Sequence, residues 1–137
     1  ATAGRTAFTE GIVLPDTYCT DTHCPVDATL SMIGGKYKAL ILWHLLDATL
    51  RFGELRRLIP QATPKMLTQQ LRELEQSLLV CRTVYPVMPP RVEYSLTELG
   101  RSIRPVLLGM YDWGAAYLRR EGVEPCCSMS RHPAHKV

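Results

Sequence analysis

Lys65-Met66-Leu67-Thr68-Gln69-Gln70-Leu71-Arg72-Glu73-Leu74-Glu75 is the stretch on which the fold turns. Wound as a helix, it sets Leu67, Leu71, Leu74 and Leu78 at i, i+4, i+7 and i+11, one stripe for burial. Lys65, Thr68, Gln69, Arg72 and Gln76 fall on the opposite side, where their donors suit phosphate oxygens and base edges. A polar helix face is more often a solvated surface than a reader of DNA, so the flanking sequence has to decide.

Immediately upstream, Thr63 offers a side-chain oxygen as N-cap, and Pro64 occupies the first helical position, where its missing N–H does no harm. Phe52-Gly53-Glu54-Leu55-Arg56-Arg57-Leu58-Ile59 reads as a short amphipathic helix closed by Pro60 and the polar link Gln61-Ala62. Two helices joined by a short turn make a helix-turn-helix. Downstream, Val80 to Tyr85 and Arg91 to Leu96 are rich in β-formers, and Val92, Tyr94 and Leu96 alternate with Arg91, Glu93 and Ser95, so the two runs form a hairpin. Its connection, Pro86-Val87-Met88-Pro89-Pro90, is stiffened by three prolines that suit a projecting loop, a wing with Arg91 at its base.

Further out, Cys24-Pro25 followed by Val26, Ala28, Leu30 and Ile33 reads as a helix stopped by Gly34-Gly35. Lys36 to Leu46 is apolar almost all round and is expected to be the central core helix. Thr97 caps a last long helix, with Glu98 in its positive first turn and a kink expected at Pro105. Along it Leu99, Ile103, Leu107, Met110, Gly114, Tyr117 and Leu118 form an apolar stripe. With Tyr111 and Trp113 as large anchors, this points to an interface, and Leu107, Met110, Tyr111, Gly114 and Tyr117 are the candidate dimer residues. The expected class is α+β and mostly α, a winged helix-turn-helix with a C-terminal dimerisation helix. Its bounds are an N-terminal arm over 1–22, one domain over 23–122 and a disordered tail over 123–137.

The 137 residues leave room for one ordinary domain with tails. A net charge of +3 and a pI near 8.7 permit nucleic acid without demanding it. The distribution is more telling, because Arg51, Arg56, Arg57, Lys65, Arg72, Arg82 and Arg91 crowd the middle of the chain. No apolar run is long enough for a membrane span and no signal segment is evident, so a cytoplasmic protein without a membrane partner is expected. Five cysteines, an odd number beside a good apolar core, argue for reduced thiols rather than a disulfide framework.

In this order of elements the wording of the chain resembles the HxlR family of bacterial winged-helix transcription regulators, relatives of the MarR type. The matching phrases are Cys24-Pro25-Val26, Ile33-Gly34-Gly35-Lys36, Ile41-Leu42, Arg51-Phe52, Glu54-Leu55-Arg56-Arg57, the run from Lys65 to Leu74, the run from Pro89 to Thr97, and Gly100. They extend over about residues 24 to 114, and several long phrases in the right order outweigh any single motif. Tyr37 departs from the family, which usually has Trp there, a mild change in the core. The resemblance implies a homodimer, joined through the N-terminal segment and the last helix, that binds double-stranded operator DNA of palindromic sequence with one reading helix per half-site. It assigns Lys65, Met66, Thr68, Gln69 and Arg72 to the reading helix and Arg91 to the wing. With Arg51 and Thr63 these are the candidate DNA contacts. Repression is the family's commoner habit.

Cys24 matches the N-terminal cysteine that acts as redox or electrophile sensor in several family members, which answer to oxidants, quinones or aldehydes. The residues support this independently, because an N-cap thiol lies where free N–H groups and the helix dipole favour a thiolate, while Asp27 in the first turn opposes it. Cys19, Cys126 and Cys127 are candidate resolving thiols, and Cys81, in a strand, is expected to pack. Neither Cys19, His23 and Cys24 nor Cys126, Cys127, His132 and His135 repeats a standard finger or ribbon spacing, so no metal and no cofactor is expected. Two other readings remain. In one, a small apolar ligand gates the regulator and Cys24 is structural. In the other, Cys24 is an enzyme nucleophile, for which no oriented His and carboxylate accompany it, so no catalytic residue is expected.

Overall fold

The computed structural model describes residues 24–126, and the arm over 1–22 and the tail beyond Cys126 lie outside them. The chain divides after Gly34 into two compact units. In the first, α1 (Pro25–Ile33) has Cys24 as N-cap, Pro25 opening the first turn and Asp27 within it, as the sequence leads one to expect.

The second unit begins at Gly35 and carries α2 (Lys38–Leu45), β1 (Leu50–Arg51), α3 (Phe52–Leu58), α4 (Pro64–Gln76), β2 (Val80–Tyr85), β3 (Arg91–Leu96), α5 (Glu98–Arg101) and α6 (Arg104–Arg120). It is an α+β winged helix-turn-helix, mostly helical. α2 is its core: Ile41, Leu42 and Leu45 are buried, and His44 is buried with them. The helix starts two residues later than the apolar run suggests, because Gly35, Lys36 and Tyr37 form a turn that docks on α4.

α4 forms where and as the pattern predicts. Thr63 Oγ1 accepts the Met66 N–H at 3.1 Å and Leu67, Leu71 and Leu74 are buried. Each such leucine contributes about 1.5–3 kcal/mol on leaving water, which is what fixes the helix on the core. Leu78 does not continue the stripe. The helix ends at Gln76, Leu78 turns into the left-handed region (φ 63°) and is 68 % exposed. The Leu78 N–H bonds the Glu75 carbonyl at 2.9 Å and the Leu79 N–H reaches back to Leu74 at 3.0 Å. This is a Schellman end with a leucine where glycine is usual, and it passes the buried role on to Leu79.

The hairpin has the expected bounds, with Val80 opposite Leu96 and Tyr85 opposite Arg91. A third strand, β1, adds to the far edge of β3 and gives the order β1-β3-β2, all antiparallel. It was invisible in the sequence because two residues are too few to show a period. Successive residues of β2 point to opposite faces, so with Val80 buried Cys81 turns to the surface, which corrects the expectation that this thiol packs. The loop Pro86 to Pro90 is exposed throughout, and Met88 is 91 % exposed at its tip.

The last helix is two helices. Thr97 caps α5, accepting the Gly100 N–H at 2.9 Å, and α6 starts afresh after Ser102 and Ile103. Pro105 has no N–H to give the Arg101 carbonyl, so the ladder breaks there instead of bending. Gly100 lets α5 approach the start of the hairpin closely, since a Cβ at this position would collide with the Leu79 carbonyl oxygen. Among the described residues no helix is long and apolar enough to cross a membrane.

Candidate nucleic-acid interface

α4 presents Lys65, Met66, Gln69 and Arg72 to solvent, with Thr68 half-buried beside them. The burial of Leu67, Leu71 and Leu74 dictates this, because at 3.6 residues per turn the residues between them must face outward. Thr63 lies at the same end of α4, but its hydroxyl oxygen already serves as the cap acceptor.

The helix is held in azimuth by polar contacts that its own pattern does not reveal. The Gln70 Oε1 accepts the Tyr37 N–H at 3.2 Å, and the Tyr37 hydroxyl donates to the Gln61 carbonyl, in the turn before α4, at 3.1 Å. Tyr37, read as a mild variation in the core, is therefore buried and ties α2 to the helix-turn-helix turn. On the other flank Lys38 Nζ lies 2.8 Å from Glu73 Oε1, and Gln69 Nε2 donates to Glu73 Oε2 at 2.8 Å. The Gln69 hydrogen bond first, and then Lys38, hold the Glu73 carboxyl below its ordinary value of 4.5, against a smaller opposing effect of burial. Tyr37, Lys38, Gln70 and Glu73 belong to the site although no motif in the chain marks them as its parts. The i, i+4 spacing of Gln69 and Glu73 was the one local signal available.

Arg51 is exposed in β1 and caps α3, where the Glu54 carboxylate accepts its N–H at 2.8 Å. Through the sheet it lies opposite Glu93. Arg91, at the base of the wing, has its guanidinium 4.6 Å from the centre of the Tyr85 ring and its Nε 3.5 Å from Glu93 Oε2. The aromatic face and the carboxylate prop this side chain, a partly desolvated arrangement that fixes its direction. The structure thus puts six candidate residues on or at the start of one helix, and the remaining two, Arg51 and Arg91, on adjacent strands of the sheet.

Of the candidate dimer residues, Leu107 is buried in its own domain and Tyr111 stacks on Trp43 with ring centres 5.5 Å apart. Both hold α6 to the core. Met110 and Tyr117 are exposed and Gly114 is half-buried; Trp113, 71 % exposed, stacks on Tyr117 at 5.6 Å. Cys24 is half-buried at the start of α1, its carbonyl accepting the Ala28 N–H at 2.9 Å while its side chain caps nothing. Cys126 is exposed, and Cys19 and Cys127 lie outside the described residues.

This architecture is matched among known proteins. The profile of the HxlR-like helix-turn-helix family fits residues 32–122. The uncharacterized HTH-type transcriptional regulator YdeP of Bacillus subtilis (strain 168) is 55% identical over 97 residues, which cover 71% of this chain and 76% of that protein. Among solved structures, the redox regulator HypR in its oxidized form is 52% identical with a TM-score of 0.66, covering 68% of this chain and 96% of its own. The reduced form of the transcriptional regulator YodB from B. subtilis is 38% identical with a TM-score of 0.59, covering 66% and 89%.

Proposed function

The chain belongs to the HxlR-like helix-turn-helix family, and from that premise we propose that it is a DNA-binding transcription regulator whose homodimer represses from a palindromic operator and loses affinity when Cys24 is modified. The observation that carries DNA reading is the outward face of α4, Lys65, Thr68, Gln69 and Arg72, on a helix whose other side is locked in the core. Lys and Arg supply phosphate contacts and most of the affinity, and Gln69, Thr68 and Lys65 meet base edges in the major groove. Arg91 and the exposed Met88 loop serve the neighbouring minor groove.

The homodimer is supported by Met110, Trp113 and Tyr117, exposed apolar groups on one helix that a monomer has no reason to display together. Val26 and Leu30 repeat the pattern on α1. The thiol switch is supported by Cys24 at the head of α1 with a side chain not committed to capping, and by the similarity to a redox regulator at 52% identity. An oxidant, quinone or aldehyde acting there shifts the N-terminal part of the dimer and with it the spacing of two reading helices that must sit about 34 Å apart.

The test is binding to the gene's own upstream DNA by fluorescence anisotropy, with reduced protein, protein after a mild thiol oxidant, and Cys24→Ser treated both ways. Affinity that falls with oxidation in the wild type and not in Cys24→Ser is the expected result. Equal affinity in all four samples would reject the switch while leaving DNA binding in place.

A further inference from the structure

We propose that Glu73 is a positioning residue that sets the side-chain amide of Gln69 to read adenine, an inference that rests on α4 being the DNA-reading helix. Lys38 Nζ takes one carboxylate oxygen of Glu73 at 2.8 Å, and the other oxygen accepts Gln69 Nε2 at 2.8 Å. The Lys38 side chain is only 12% exposed, so the chain of contacts is anchored on α2 and not on a mobile surface group.

The orientation of the amide follows from chemistry. An ionised carboxylate only accepts hydrogen bonds, so the group facing it must be the amide nitrogen. Glu73 is ionised at neutral pH as any ordinary carboxyl is, and its two partners lower its titration further. One of the two Nε2 hydrogens is then committed, and Gln69 has one N–H and one carbonyl oxygen left to offer the groove. Adenine presents one acceptor, N7, beside one donor, the N6 amino group, and matches that pair. Guanine presents two acceptors, N7 and O6, and asks for two donors that the tethered amide does not have. Released from Glu73, the amide rotates and can give both hydrogens to guanine. Ordering a side chain of this kind before binding, with the loss of a competing orientation, is worth about two- to tenfold in the adenine-to-guanine ratio.

Wild type, Glu73→Ala, Gln69→Ala and the double variant are each used to select duplexes from a random-sequence DNA library, and the retained sequences are counted. The position whose preference disappears in Gln69→Ala is the one Gln69 reads. Adenine is expected there for the wild type, with the adenine-to-guanine ratio falling about two- to tenfold in Glu73→Ala. In the Gln69→Ala background the loss of Glu73 is expected to change nothing further, as a residue acting through Gln69 requires. Removing an acidic charge raises affinity for all sequences together, so the ratio is the readout and not the affinity. Another preferred base at that position overturns the inference. So does a ratio unchanged in Glu73→Ala, or one that falls equally without Gln69. A wild type that enriches no sequence is a separate failure, which rejects DNA reading by α4 itself.

Discussion

Gly35→Ala tests the clamp that sets the azimuth of α4. Gly35 needs no special backbone conformation, since among the described glycines only Gly122 has a positive φ. The obstacle is spatial. A Cβ at position 35 would collide with Gln70 Oε1 and come within 3.1 Å of Gln70 Cδ and Nε2. The glutamine side chain can swing away, but its Oε1 is the acceptor of the Tyr37 N–H, and Tyr37 is only 4% exposed. A buried donor left without its partner costs about 1–3 kcal/mol. Alanine lowers the entropy of the unfolded chain and recovers about 0.4–1 kcal/mol. The net expectation is a loss of about 1.3 kcal/mol, the difference between the midpoints of those two ranges. Urea denaturation at fixed protein concentration measures it, with the midpoint falling and the slope unchanged. The decisive control is Gln70→Ala, in whose background there is no amide to displace and Gly35→Ala should be neutral or slightly stabilising. If Gly35→Ala is as stable as wild type, or costs the same with and without Gln70, the clamp does not do what its geometry suggests.

Thr63→Ala removes the N-cap of α4 and should cost about 1 kcal/mol by the same assay, while Thr63→Ser keeps the acceptor and stays close to wild type. Leu78→Gly should stabilise by about 0.5–1 kcal/mol, because the left-handed conformation costs a leucine about 1–2 kcal/mol, part of which the freer unfolded glycine takes back; a destabilised Leu78→Gly would mean that the exposed side chain has a contact of its own. The Glu73 carboxyl is held low, so its contribution is present above the ordinary value of 4.5 and is lost only as pH falls through the lower folded value. Carboxyl-carbon NMR should accordingly give a midpoint below 4.5 for the wild type that rises toward it in Gln69→Ala; an identical midpoint in both would show that Gln69 is not the group responsible.

Much of this protein is legible one segment at a time. The bounds of α4 and its Thr63 cap follow from the spacing of Leu67, Leu71 and Leu74 and from Thr63-Pro64, because helix periodicity and capping are interactions between near neighbours. The hairpin was equally plain, its strands alternating on either side of a proline-rich loop. The misreadings fall where a local signal has two outcomes. Proline in a helical pattern either kinks or ends it, and at Pro105 the chain chose a new start. Leucine at position 78 kept the helical spacing although the helix had already closed.

Residue types and their spacing along the chain also determined which face of α4 turns outward, and hence which side chains stand open to solvent. The tertiary structure alone decided how those side chains are held. Lys38 reaches Glu73 across 35 positions of sequence, and Tyr37 reaches Gln70 across 33. It likewise divided the aromatic residues of α6, giving Tyr111 to Trp43 and leaving Trp113 and Tyr117 exposed. A hydrogen bond or a ring stack acts over a few ångströms of space whatever the separation along the chain, so nothing in the local pattern announces it. A helix can be read from its own residues, while the orientation of an amide on its surface depends on what the rest of the fold places beside it.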